Sequence, residues 1–213
     1  MKTTKYFLAM MVAVATLGYS TTAKAENETG EQQEEVRFNP SNIIKIGAGY
    51  GLITSDIQTV NRIYKSKGGL TLSADYLHVW KSGLGFGINY LYYGTSMDEE
   101  DIKMKMHYIG PSFVASGTFR DKWRLETAVG LGYVKYIEKD KTPYLSITMT
   151  DSNIGLMYQA GIEYRIAKQL GIGLQVDYFT VKLTQPEGYN SSKQYDYYGI
   201  KRLDATLGLR FYL

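Results

Sequence analysis

From Ile43 to Leu213, apolar residues alternate with small or polar ones at a period of two. In Ile43 to Ile53 one face reads Ile44, Ile46, Ala48, Tyr50, Leu52, and the other reads Lys45, Gly47, Gly49, Gly51. Successive side chains of a strand point to opposite sides, so this pattern predicts a strand between two unlike environments. Seven further segments repeat it. Gly69 to Trp80 sets Leu70, Leu72, Ala74 and Tyr76 against Thr71, Ser73 and Asp75; Leu84 to Tyr93 sets Phe86, Ile88, Tyr90 and Tyr92 against Gly85, Gly87 and Asn89. Lys105 to Ser116 follows, then the segments opened by Trp123 (opposed by Arg124 and Glu126), Ile154 (Glu163, Arg165), Leu170 (Asp177) and Leu203 (Arg202, Asp204, Arg210). Pro111 lies inside the fourth segment, where it removes a ladder hydrogen bond, and a local bulge is expected there.

The connections carry a second pattern. Those after the second, fourth and sixth segments (Lys81-Ser82-Gly83, Gly117 to Lys122, Ala167-Lys168-Gln169) are short. Those after the first, third, fifth and seventh (Thr54 to Gly68, Gly94 to Met104, Ile137 to Ser152, Gln185 to Gly199) are longer and polar. An even strand count with alternating tight turns and long loops predicts an all-β, eight-stranded antiparallel up-and-down transmembrane barrel, 43–213, with periplasmic turns and external loops.

A soluble barrel of lipocalin type would alternate too, with its apolar face inward. Two details favour lipid outside. The less apolar face is mostly Gly, Ser, Thr and Gln, which suits a bore just filled by side chains rather than a water-facing exterior rich in Lys and Glu. The apolar face is also capped by aromatics at both ends: Trp80, Trp123, Tyr164 and Phe211 at the turn end, Tyr50, Tyr92, Tyr133 and Tyr178 at the loop end. Trp123 and Tyr133 are separated by about 33 Å of extended chain at ~3.3 Å per residue; tilted by ~40°, that is roughly the 25 Å height of the apolar band between two interfacial girdles.

The first residues change the charge balance. Lys2 and Lys5, the apolar stretch Tyr6 to Leu17 and Ala23-Lys24-Ala25 read in order as the regions of a secretory signal cleaved after Ala25. The apolar stretch falls short of the roughly 20 residues of a membrane helix. Of 24 Lys and Arg, the three at Lys2, Lys5 and Lys24 leave with the signal, so 21 positive groups face 21 negative ones and no nucleic-acid surface is implied. Glu26 to Asn42, with five glutamates and Arg37, is expected to be a flexible acidic periplasmic segment. The absence of cysteine excludes disulfides, thiolate metal sites and a lipobox anchor. No apolar run of 18 residues follows, which excludes a helical membrane protein.

Three stretches carry a resemblance: Ile46-Gly47-Ala48-Gly49-Tyr50-Gly51-Leu52, Tyr108-Ile109-Gly110-Pro111-Ser112-Phe113, and the final Leu207-Gly208-Leu209-Arg210-Phe211-Tyr212-Leu213. With these, Ile43 to Leu213 resembles the small eight-stranded barrels of the OmpA/OmpX type, found in the outer membrane of Gram-negative bacteria. The resemblance implies outer-membrane lipid and lipopolysaccharide as surroundings. It also implies an assembly signal (Leu207, Leu209, Phe211, Leu213) read by the barrel-insertion machinery, with Leu213 where an aromatic is usual. No peptidoglycan-binding domain follows, so no cell-wall link is implied.

Inward positions carry five cations (Lys45, Arg124, Arg165, Arg202, Arg210) and five carboxylates (Asp75, Glu126, Glu163, Asp177, Asp204). Either they form a charged conduit, or they pair into a network that fills a narrow lumen, since buried charges must be compensated. Tyr93, Tyr108, Met157 and Phe179 also point inward by parity, and Glu163 is expected within reach of Arg124. An acyltransferase or deacylase would need a histidine beside a serine or carboxylate. His78 and His107 fall near opposite ends of the outward face with no such neighbour expected. Asp98-Glu99-Glu100-Asp101 lacks the ligand spacing of a calcium loop. Pro186 to Gly199, rich in Tyr, Ser and Asn (Tyr189, Asn190, Ser191, Ser192, Tyr195, Tyr197, Tyr198), resembles an adaptable recognition surface for an external ligand. Together these predict a non-enzymatic outer-membrane barrel, monomeric, without cofactor or metal, with a filled lumen and a structural or surface-interaction role. A narrow passive channel and a lipid A-modifying enzyme are the alternatives.

Overall fold

The computed structural model describes residues 41–55, 57–58, 63–64, 67–97, 102–120, 122–142, 145–183 and 198–213. The expected signal with Ala23 and Ala25, residues 26–40 of the acidic segment, the Asp98 to Asp101 run and residues 184–197 of the Tyr-rich loop lie outside them.

Every described element is a strand: β1 (Asn42–Ile53), β2 (Ile57–Gln58), β3 (Ile63–Tyr64), β4 (Lys67–Val79), β5 (Leu84–Met97), β6 (Ile102–Phe119), β7 (Trp123–Thr142), β8 (Leu145–Ala167), β9 (Leu170–Leu183) and β10 (Tyr198–Tyr212). β2 and β3 form a small two-stranded sheet. The other eight close into a single antiparallel barrel, each pairing with its sequence neighbours and β10 pairing back onto β1. Closure satisfies both edges of every strand, which a chain crossing hydrocarbon requires.

The register fixes the barrel's shape. Pairing partners followed from Ile53 run through Arg202, Phe179, Met157, Gly130, Ser112, Gly87 and Leu77 and return to the first strand at Ile43, ten positions away. With strands ~4.8 Å apart and ~3.3 Å per residue, that stagger tilts the strands by about 40° and sets opposing backbones about 16 Å apart. Such a bore holds side chains and little else.

The turns at one end are tight. Gly83 adopts φ 81° between β4 and β5, where its N–H donates to the Trp80 carbonyl at 2.9 Å. Arg120, at φ 49°, turns β6 into β7. A left-handed backbone suits Gly83 at no steric cost, whereas the Arg120 side chain must tolerate it.

Three expectations are corrected. The loop expected at Gly94 to Met104 narrows to 98–101, because β5 and β6 stay paired out to Met97↔Ile102. The stretch 137–152, expected as a long polar loop, is hairpin: β7 and β8 remain paired from Trp123↔Tyr164 out to Thr142↔Leu145, leaving only 143–144 between them. Past Tyr133 the outward positions become Lys135, Ile137 and Lys139, so the apolar face that marks a strand in the sequence is lost there, while the ladder continues and Tyr136 and Glu138 stay buried inward. Pro111 is not accommodated by a bulge. The β6–β7 ladder omits Gly110 and Pro111 and resumes at Ser112↔Gly130 in the register it had at Ile109↔Tyr133, and Pro111 keeps its partner Ile88 on β5. Gly110 and Gly132 let the two backbones approach closely there, since a Cβ on Gly110 would meet the Gly132 Cα. The register shift that does occur lies elsewhere, between Arg165 and Ala167 at the β8–β9 turn.

Candidate functional site: the filled lumen and the lipid-facing belts

Strand parity divides the side chains into two populations. Ile46, Leu72, Phe86, Ile88, Ile109, Phe113, Leu131, Ile154, Leu174 and Leu207 point out and are exposed. The inward positions are buried, and many are charged. An exterior of large apolar residues around a polar interior inverts the water-soluble arrangement and matches a barrel set in lipid.

In the turn-side half of the lumen the charges form a connected network. Lys45 Nζ contacts Glu126 Oε1 at 2.6 Å and Asp75 Oδ2 at 3.2 Å, and donates to Gln159 Oε1 at 3.0 Å. Lys45 stands on β1 and Glu126 on β7, across the bore, so the narrow diameter itself brings them together. Arg124 bridges Glu126 Oε2 (3.0 Å) and Glu163 Oε2 (3.1 Å), and its Nε donates to Ser116 Oγ at 2.6 Å. Glu163 also receives Arg210 Nε at 3.1 Å and the Tyr212 hydroxyl at 3.4 Å. Higher up, Arg202 pairs with Asp204 at 2.8 Å, and Thr71 donates to the other oxygen of that carboxylate at 3.0 Å. The Arg202 guanidinium lies over the rings of Tyr93 (4.9 Å) and Phe179 (5.1 Å), a cation–π seat that stabilises a charge away from water.

Asp177 differs from its neighbours. Among the described residues its carboxylate meets no cation; Gln159 donates to it at 3.0 Å and Gln175 at 3.2 and 3.1 Å. Arg165 points inward but is half-exposed at the lumen rim, beside the register shift. Of the ten expected charges, nine are therefore buried in the interior and one sits at its mouth. Sequence reading missed Gln159 as an amide bridging Lys45 to Asp75 and Asp177, Gln175 as a second donor to Asp177, the Tyr212 contact, and Glu138, which accepts a 2.7 Å hydrogen bond from Tyr136 within the extended hairpin. Parity alone could have flagged them, since all lie on inward positions.

Apolar clusters complete the filling. Ile43, Leu77, Val79, Val114, Ala128 and Tyr212 pack beside the network at the turn end. Toward the loops a larger cluster includes Tyr93, Met104, Met106, Tyr108, Met157, Phe179, Val181 and Ile200.

On the outside, the register sets the aromatics in two belts. Trp123 pairs directly with Tyr164, their rings 4.9 Å apart, and stacks on Phe119 at 6.4 Å; Trp80 lies 6.0 Å from Phe86. Phe211 faces outward between Ile44 and Leu170 in the same belt. In the upper belt, Tyr178 meets Tyr158 at 6.4 Å, Tyr92 meets His107 at 5.2 Å, and Tyr50 and Tyr133 are exposed. His107 Nδ1 bonds the Tyr90 hydroxyl at 2.9 Å. His78 Nδ1 bonds Asn42 Oδ1 at 2.9 Å, with Phe86 5.4 Å away. Among the described residues, neither histidine is joined to a serine or a carboxylate, and no group of three or more His, Cys, Asp or Glu side chains is arranged to hold a metal.

Phe211→Asp puts a charge on this lower belt inside the expected assembly signal. Close to an interface the equilibrium penalty is only ~0–1 kcal/mol, so the expected result is a fall in the amount of inserted barrel rather than in its stability. Heat-modifiable mobility on gels reads it; wild-type levels of folded variant would remove the last strand from the assembly step.

A closed eight-stranded antiparallel barrel with an apolar belt between aromatic girdles and a packed interior is the architecture of small outer-membrane proteins. Residues 11–211 match the family model of the outer membrane protein beta-barrel domain, and the chain belongs to that family, whose members lie in the outer membrane. Among solved structures, Neisserial surface protein A is similar at a TM-score of 0.55 and 12% identity, covering 81% of this chain and 97% of that one. Ail of Yersinia pestis (TM-score 0.49, 16% identity, 80% of this chain and 99% of that one) and OprG of Pseudomonas aeruginosa (0.49, 10%, 83% and 98%) are also similar. No curated protein sequence matches.

Proposed function

We propose that this barrel neither catalyses nor conducts, and that it acts at the cell surface through its extracellular side. The observation that carries the reading is the interior. The bore is crossed by the Lys45–Glu126 contact, which Arg124 joins to Glu163 on the neighbouring strand, and it is filled above and beside them by apolar clusters. An ion entering would have to displace pairs already satisfied and would leave buried charges behind, which is costly. Among the described residues, the β7–β8 hairpin projects farthest beyond the upper belt. β7 runs nine residues beyond Tyr133 of the upper belt to Thr142, and at ~3.3 Å per residue and ~40° of tilt this raises it roughly 20 Å above the apolar band. With the Tyr-rich stretch between β9 and β10, it offers an adaptable surface to an external ligand. The histidines are held by Asn42 and Tyr90, and among the described residues neither is joined to a serine or a carboxylate, which supports the non-enzymatic reading.

The test is electrical and chemical. Purified barrel in planar bilayers is expected to show no steady ohmic conductance, and lipid A mass spectra from cells with and without the protein are expected to be identical. A large, stable conductance would favour the channel, and a mass change in lipid A would favour the enzyme.

A further inference from the structure

From the lower belt to the upper, the interior charges do not balance. Among the described residues four buried cations, Lys45, Arg124, Arg202 and Arg210, face five buried carboxylates, Asp75, Glu126, Glu163, Asp177 and Asp204. Glu138 stands above this stretch, and Arg165 sits half-exposed at the rim. The ion pairs place the surplus on one residue. Lys45 takes Asp75 and Glu126, Arg124 takes Glu126 and Glu163, Arg210 takes Glu163, and Arg202 takes Asp204. Asp177 receives the amides of Gln159 and Gln175 instead. It is also the direct partner of Asp204 across β9 and β10, and like charges directly opposite repel. An ionised carboxylate removed from water needs a counter-charge.

A second observation, independent of charge, surrounds the same point. Gln159 Nε2 donates to Asp75 Oδ2 at 3.3 Å and to Asp177 Oδ1 at 3.0 Å, so one amide nitrogen holds both acids together. Around them Asp75 Oδ1, both side-chain heteroatoms of Asn89, Gln175 Oε1 and the Tyr108 hydroxyl are buried without a hydrogen bond among the described residues. Asn89 is the inward cross-strand partner of Asp75. Gln175 grips both Asp177 oxygens through Nε2, which keeps its carbonyl oxygen beside that carboxylate. The Tyr108 hydroxyl rests over Gly130, where an added Cβ would come within 2.8 Å of it, and the charges acting on it are Asp75 and Asp177. Buried polar atoms are seldom left unpaired, and Asp75 Oδ1, Asn89 Oδ1 and Gln175 Oε1 can only accept. Oxygen donors of this kind suit a hard cation. One surplus negative charge calls for one positive charge, since a divalent ion would leave a new buried excess beside Lys45.

We propose that Asp177 and Asp75, with the side-chain oxygens of Asn89, Gln175 and Tyr108, bind one monovalent alkali cation, sodium or potassium, in the middle of the lumen. The ion is held and not passed. The Lys45–Glu126 contact closes the bore below it, and the Arg202 guanidinium seated on Tyr93 and Phe179 closes it above. The site makes the stability of the barrel depend on the salt in which it folds. It rests on the reading of a closed lumen given above.

The experiment refolds the full barrel into phosphatidylcholine bilayers in sodium, potassium, calcium or N-methylglucamine chloride at matched ionic strength, and measures unfolding in urea. In sodium or potassium chloride the folding equilibrium constant of wild type is expected to rise about tenfold for each tenfold rise of cation above its dissociation constant, by mass action. N-methylglucamine, too large for the site, is expected to give no rise. D177N is expected to lose the dependence; should it fail to assemble, N89A, which removes a neutral ligand, is expected to shift the dependence to higher cation concentration. In crystals grown with rubidium, wild type is expected to show one anomalous scatterer between Asp75 and Asp177. Equal stability of wild type in all four salts would overturn the proposal, because a proton on Asp177 or water then serves the site. A rise that D177N retains would overturn it too, and a larger Asp177-dependent rise in calcium chloride would overturn the monovalent assignment. Steady conductance in planar bilayers would instead overturn the closed lumen, so the two failures are distinguishable.

Discussion

Glu163→Ala is expected to lower the unfolding free energy of the barrel by about 3–5 kcal/mol, the usual effect of removing one member of a buried charged group. The carboxylate receives Arg124 at 3.1 Å, Arg210 at 3.1 Å and the Tyr212 hydroxyl at 3.4 Å. Arg124 retains Glu126, but among the described residues Arg210 loses its carboxylate and keeps only hydrogen bonds to the carbonyls of Leu209 and Gly173. A buried guanidinium without a counter-charge is the dominant cost, larger than the lost packing of a small side chain. The urea midpoint of refolded protein in lipid measures it. The diagnostic comparison is Glu163→Met with Arg210→Met: removing both partners together takes away the stranded charge, so the double variant is expected to be more stable than Glu163→Ala. A midpoint unmoved by Glu163→Ala would mean that water or a small ion already serves Arg210, and the lumen would then be wetter than its packing implies.

The second large effect is expected at the seam between the first and last strands. Gly208 and Gly47 are direct partners across β10 and β1, and a Cβ on Gly208 would meet the Ile46 carbonyl oxygen and come within 2.6 Å of the Gly47 Cα. These are backbone atoms of the strand that must pair with β10 to close the cylinder, so they cannot rotate away as a side chain could. Gly208→Val is expected to cost at least the ~3 kcal/mol at the upper end of overpacking substitutions, and closure should fail in a large share of molecules. Gly161→Ala is the control, because its Cβ would find only the Leu174 carbonyl at 3.4 Å, ordinary contact. Folded fraction by heat-modifiable mobility is expected to fall for Gly208→Val and to stay near wild type for Gly161→Ala. Equal folding of the two would show that the seam opens enough to admit a side chain.

The barrel class, the facing of each strand within the membrane and the two aromatic belts were all legible in the chain. They follow from a property that is local: each residue turns its side chain to the opposite side from its neighbour, and lipid demands that one side be apolar. Lys45, Asp75, Glu126 and Glu163 could thus be assigned inward, and Trp123 and Tyr133 outward, without knowing any partner. The long β7–β8 hairpin escaped because, beyond Tyr133, the outward positions become Lys135, Ile137 and Lys139, and the apolar face that marks a strand is lost. The Pro111 bulge was wrong for a related reason: the loss of one donor was visible, whereas the close approach allowed by Gly110 and Gly132 on two different strands was not. What only the tertiary structure decided is who meets whom inside. Lys45 reaches Glu126 across the bore, Arg124 takes Glu126 as well as the Glu163 that was expected on the neighbouring strand, and Asp177 is left to Gln159 and Gln175, because a ten-residue stagger around eight strands sets which levels face one another. That stagger is a sum of registers around the closed ring, and no single stretch of sequence contains it.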